Sequence, residues 1–234
     1  MADPLPRRVA SEGLGCLLLT ATVVGSGIMG ERLANGNAAI ALLANTGATV
    51  AVLAVLITVL APVSGAHLNP AVTFALAVRK QIAWRSAGAY VVVQLAGCCL
   101  GTVVAHAMFE LPLLQASTHN RGTPPQFLSE AVATFGLLFV ILASRRARDV
   151  PWLVASWIGA AYWFTASTSF ANPAITVARS LTNTFAGIRP VDVAPFAVAQ
   201  LVGSLLALLV CRAMFKPAAS IANDATTARP FRAT

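Results

Sequence analysis

Two apolar segments, 69–79 and 172–182, both open on Asn-Pro-Ala and both stop short of crossing a bilayer. The first sits in HLNPAVTFALAVR, His67 to Arg79, and the second in SFANPAITVAR, Ser169 to Arg179. Eleven residues of helix rise about 16 Å, half of a roughly 30 Å hydrocarbon layer. Each segment follows an irregular stretch, APVSGAHL or ASTSFA. Irregular backbone at membrane depth survives only inside protein or along a wet cavity. Each unit therefore reads as a loop that dips into the membrane and a half-helix that climbs back out.

The rest of the chain supplies the membrane context. Hydrophobic residues make up 57% of the 234 residues and charged ones 10%, against about 25% charged in a soluble domain. Six long apolar stretches predict spans near 9–29, 38–60, 84–108, 127–143, 151–168 and 192–215. Residues 1–8 read as a polar arm, 109–126 as a connecting loop, and 216–234 as a flexible tail rich in Ala, Thr, Pro and Arg. The net charge of +8 lies between spans and at the termini, which argues for topology and against nucleic acid as a partner. With both termini in the cytoplasm, twelve Lys and Arg face inward and four outward, as the positive-inside rule requires.

The order of features repeats. Ser11-Glu12, the first Asn-Pro-Ala and Gln94-Leu95-Ala96-Gly97 in residues 9–108 match Ser129-Glu130, the second Asn-Pro-Ala and Gln200-Leu201-Val202-Gly203 in residues 127–215. Three crossings per half make the second half enter from the opposite side. The expected fold is all-α and membrane-embedded: six transmembrane helices, two re-entrant half-helices and an inverted repeat meeting at the midplane.

At each dip, Asn69 or Asn172 suits the N-cap and Pro70 or Pro173 the first helical position, whose N–H would have no partner. Ala71 and Ala174 complete the motifs. The cap occupies each Asn oxygen and leaves the amide NH₂ to a passing molecule. Two half-helix N-termini, each carrying about half a positive charge, then face one point. That field opposes cations, and a water bonded to both amides interrupts a proton wire. The pair suits a conduit for uncharged solutes.

With these residues in place, the chain resembles the aquaporin, or major intrinsic protein, family over about residues 9–215. The resemblance implies a right-handed six-helix bundle with one pore per subunit, usually a homotetramer. Family members commonly carry Arg directly after the second Asn-Pro-Ala, whereas this chain has Ile175. Counting without gaps from the two Asn residues assigns the other constriction positions to Thr49, Ala160 and Ser169, with Phe170 the alternative to Ser169. These side chains predict a wide filter without its fixed cation. In that respect the chain resembles bacterial aquaglyceroporin-like channels linked to arsenic handling. Glycerol-like polyols, urea and undissociated metalloid hydroxides such as arsenous acid join water as candidate solutes.

Arg179 lies one turn beyond Ile175 and either restores a charge at the outer mouth or binds a loop carbonyl. His67 belongs, by the resemblance, to the pore-lining loop, and either gates with pH or is tied to neighbouring carbonyls. Glu12 and Glu130 are acids at membrane depth, where ionisable groups face the interior. The resemblance suggests that they accept N–H bonds from the dipping loops; helix-dipole partners and a proton relay are the other readings. No metal site, cofactor site or catalytic triad is visible, so the chain reads as a channel and not an enzyme, with a secondary transporter of a small neutral solute as the alternative. The expected setting is a bacterial inner membrane.

Overall fold

The computed structural model describes residues 3–215, and the tail expected over 216–234 lies outside them. Eight α-helices follow in chain order: α1 Leu5–Leu33, α2 Ala38–Ser64, α3 Pro70–Val78, α4 Trp84–Met108, α5 Pro124–Ala143, α6 Val150–Phe164, α7 Pro173–Arg179 and α8 Pro190–Met214. No strand occurs among the described residues. Helices α1, α2, α4, α5 and α8 are long and apolar enough to cross a membrane.

Several boundaries differ from expectation, for local reasons. Helix α1 starts at Leu5 and absorbs most of the expected arm, because Pro4 and Pro6 fit a helix's first turn. Helix α2 runs through Pro62 to Ser64 and ends on Gly65 in the left-handed conformation. Only the bond that would have reached the Thr58 carbonyl is lost to Pro62. Helix α6 is shorter than the expected span 151–168: it stops at Phe164, and the chain turns into the second dip from Thr165. The half-helix expected over 172–182 ends at Arg179, where Ser180 turns and its hydroxyl donates to the Val177 carbonyl.

Helix α1 lies against α4 and α2, and α5 against α8 and α6 in the same way. The half-helices fill the centre: α3 touches α4 and α8, and α7 touches both of those too. Close approach of long helices makes this room. A Cβ on Gly97 of α4 would strike the Gly13 carbonyl of α1, and one on Gly203 of α8 would strike the Ala131 carbonyl of α5. In lipid, where apolar burial does not drive helices together, such small-residue contacts let backbones meet.

Candidate functional site

The two dips share a backbone conformation. Positive φ occurs at Gly65, Ala66 and Leu68 before Asn69, and at Thr168, Ser169 and Ala171 before Asn172. These are the same three places, counting back from each Asn. Five of the six residues carry a Cβ, so each dip holds strain that its surroundings must offset.

Two buried acids offset it. Glu12 accepts from the backbone N–H groups of His67 (2.9 Å) and Leu68 (2.7 Å), and from the Ser64 hydroxyl (2.7 Å). Glu130 accepts from the N–H groups of Phe170 (2.9 Å) and Ala171 (2.8 Å). A glutamine braces each acid: Gln94 Nε2 donates to Glu12 (2.8 Å) and Thr73 (3.0 Å), and Gln200 Nε2 to Glu130 (2.6 Å) and Thr176 (2.9 Å). Charge-assisted bonds in a low-dielectric interior are the strong kind.

The asparagines lock one dip to the other. Asn69 Oδ1 accepts from Ala71 N–H (2.8 Å), and Asn172 Oδ1 from Ala174 (3.0 Å) and Ile175 (3.3 Å). Asn69 Nδ2 donates to the Ala171 carbonyl (2.7 Å), and Asn172 Nδ2 to the Leu68 carbonyl (2.8 Å). Each amide thus spends one hydrogen on the opposite loop, a cross-bond that the sequence pattern alone does not contain. An NH₂ group has two donors, so one per residue is left for the cavity that both asparagines line.

That cavity, of about 110 Å³, runs between the dips and along the inner faces of α2, α5 and α6. His67 lines it, and its Nδ1 lies 3.1 Å from the Thr73 hydroxyl, with the Tyr90 ring edge-on at 5.2 Å. Thr49, Ser169, Phe170 and Ile175 also line it. Ser169 Oγ is buried without a hydrogen-bond partner among the described residues.

Ala160 does not line the cavity; it is exposed on the outer surface of the bundle. Two residues along a helix turn the side chain by about 200°, so Ile158 and Tyr162 face inward where Ala160 faces out. The gap-free count fails because it assumes a length for the irregular stretch 165–171. A phenol therefore stands on α6 where a small side chain was expected. Thr49 Oγ1 donates to the Asn45 carbonyl (2.8 Å) and lies 3.3 Å from Tyr162 Oη, so it is free to accept from the phenol.

Arg179 is buried and lines the cavity. Its Nε donates to the Ala186 carbonyl, and its guanidinium carbon sits 3.4 Å from the Phe170 ring centre. One side is thus held by a loop carbonyl, and the residue also lines the cavity. A second arginine, Arg121, arrives from the loop between α4 and α5. Arg121 Nε donates to the Gly187 carbonyl (2.8 Å) and Nη1 to the Ser167 carbonyl (3.0 Å), with the guanidinium carbon 5.0 Å from the Phe170 ring centre. Burial lowers the Arg121 guanidinium from its ordinary value, although part of the side chain remains accessible. Asp192 anchors this loop by accepting from Arg121 N–H (2.8 Å) and from Arg189 Nε (3.0 Å). Sequence reasoning used Arg121 only as a topology charge.

The model of the family described as "Major intrinsic protein" matches residues 3–163. A relative described as "Aquaglyceroporin AqpS", from Rhizobium meliloti (strain 1021), is 53% identical over 219 residues, covering 93% of this chain and 94% of that one. "Aquaporin NIP6-1" from Arabidopsis thaliana is 30% identical over 142 residues, 59% of this chain and 45% of the relative. Among solved structures, the aquaglyceroporin from Plasmodium falciparum superposes with a TM-score of 0.67 at 20% identity, covering 88% of this chain and 95% of that one. A family model matched over more than half of the chain and a relative of near-equal length converge on one conclusion: the chain belongs to the major intrinsic protein family.

Proposed function

We propose that the chain is a passive channel for small uncharged solutes that favours molecules larger than water, with glycerol-like polyols and urea first and undissociated arsenous acid as a further candidate. The observation that carries this reading is the single cavity bounded by both asparagines, with Ile175 in place of the usual cation. Its wall combines apolar groups (Ile158, Phe170, Ile175) with hydroxyl, amide and guanidinium groups (Tyr162, Ser169, Asn69, Asn172, Arg179). A polyol needs such a wall, since its carbons and hydroxyls lose water together. The 53% identical relative carries an aquaglyceroporin's name, which supports the same solute class.

Exclusion of ions rests on charge. Arg179 and the two half-helix N-termini present positive potential along the path, and a cation stripped of water meets it without compensation. A coupled transporter needs an ionisable group with a changing partner. Glu12 and Glu130 are instead engaged by four and three donors, so the passive reading is favoured. The channel sits in a bacterial inner membrane with both termini cytoplasmic, and assembles as a homotetramer.

Stopped-flow light scattering on proteoliposomes tests the filter. Ile175→Arg is expected to lower the flux of glycerol, urea and arsenous acid more than that of water. Equal slowing of all four, or no change, would remove Ile175 from the constriction.

A further inference from the structure

A second large concavity lies away from the pore, where the C-terminal ends of α3, α5 and α8 meet. It is a groove of about 1060 Å³, at the upper end of the roughly 300–1,000 Å³ of ligand sites. Arg79 and Arg145 stand around it just beyond the ends of α3 and α5, and Arg212 stands in the last turn of α8. All three are exposed, and none pairs with a carboxylate or donates a side-chain hydrogen bond among the described residues. Beneath this rim the wall is apolar: Leu142, Leu205, Leu208, Leu209, Met214 and Phe215. By the distribution of positive charge this is the cytoplasmic edge of the bundle, where headgroups meet hydrocarbon.

We propose that the groove seats an anionic phospholipid, its phosphodiester held by Arg79, Arg145 and Arg212 and an acyl chain lying over Leu205, Leu208 and Leu209. Three guanidiniums lining one groove, with no carboxylate partner among the described residues, call for an anion, and arginine's planar fork matches phosphate oxygens. The apolar wall calls for a chain attached to that anion. Basic pockets between helices on the cytoplasmic side suit such headgroups. The chain's own tail is a poorer occupant. Residues 216–234 carry three basic side chains, Lys216, Arg229 and Arg232, against one acid, Asp224. The inference is independent of which solute the pore passes.

Native mass spectrometry of the full chain, with phosphatidylglycerol or phosphatidylcholine of equal acyl length, tests it. The wild type is expected to hold phosphatidylglycerol at least about tenfold more tightly than phosphatidylcholine. The triple variant R79Q/R145Q/R212Q loses that preference, while R85Q/R146Q/R148Q, which removes equal charge elsewhere on the same side, keeps it. The proposal is overturned if the groove variant keeps the preference or the control loses it equally. It is also overturned if inorganic phosphate competes as well as the lipid, which would mark a soluble-anion site. Lipid binding only after removal of residues 216–234 would make the tail the occupant. A changed oligomeric state in the groove variant with unchanged lipid binding would make the groove a contact between copies.

Discussion

The first and second dips differ in what they show the cavity and agree in how they are held. Both have positive φ at the same three places, an acid under the same two N–H groups, a braced glutamine and a threonine one turn into the half-helix. The side chain two residues before each asparagine breaks the match. His67 lines one end of the passage beside Tyr90, whereas Phe170 lines the other beneath Arg179 and beside Phe196. Among the described residues, only the second dip is covered by a long loop, which adds Arg121 and fastens to Asp192. The shared part is scaffold, built to keep strained backbone in place at membrane depth. The unshared part lies where discrimination among solutes must arise, since identical groups at both mouths could not divide the work.

The largest expected effect breaks the scaffold in either half. Glu130→Ala strands three donors, two of them backbone N–H groups. A loss of at least about 3 kcal/mol is expected, with Glu12→Ala at least as severe because that acid serves four donors. Thermal unfolding in detergent, followed by size exclusion, measures both. Retention of wild-type stability by either variant would contradict the brace.

Next come the glycines that let the long helices approach. Gly97→Val and Gly203→Val push a side chain into a backbone carbonyl, so each should destabilise by about 1–3 kcal/mol. Gly47→Ala, in the interior of α2, meets no atom within 4 Å and should leave stability unchanged or raise it by up to about 1 kcal/mol. The same unfolding assay compares all three, and unequal losses at 97 and 203 would show that the halves are less alike in their contacts than in their hydrogen bonds.

The smallest effect on stability sharpens the difference. Ser169→Ala removes a hydroxyl that has no partner, so the fold loses no bond and unfolding should shift by under about 0.5 kcal/mol. Glycerol flux should nonetheless fall, because the cavity wall loses a hydrogen-bonding group. A large stability loss with unchanged flux would reverse the assignment of Ser169 from solute contact to structural residue.

Much of the scaffold was legible in the sequence because it is written in repeated local signals. Asn-Pro at a helix start, a Glu after a Ser and a Gln three residues before a Gly each recur in order, and each has a local physical reason. The cross-bonds from Asn69 to Ala171 and from Asn172 to Leu68 were not legible, since they depend on two loops meeting from opposite sides. The passage wall was legible at Ile175, whose distance from Asn172 is fixed by helix geometry, and at Thr49, counted back from Asn69. Ala160 was assigned across an irregular stretch whose path has no period, and Tyr162, half a turn away, took the inward position. Arg121 escaped for a similar reason: its loop carries no hydrophobic rhythm, and its reach comes from backbone carbonyls that accept its guanidinium.

The central claim is that neutral solutes pass between two locked dips without carrying charge. Simultaneous recording of glycerol and proton flux in proteoliposomes bearing the wild-type chain tests it most directly. The account predicts glycerol flux that rises linearly with its gradient and depends weakly on temperature, with proton flux no higher than in lipid alone. Glycerol flux that saturates, or that moves protons in step with it, would contradict the account.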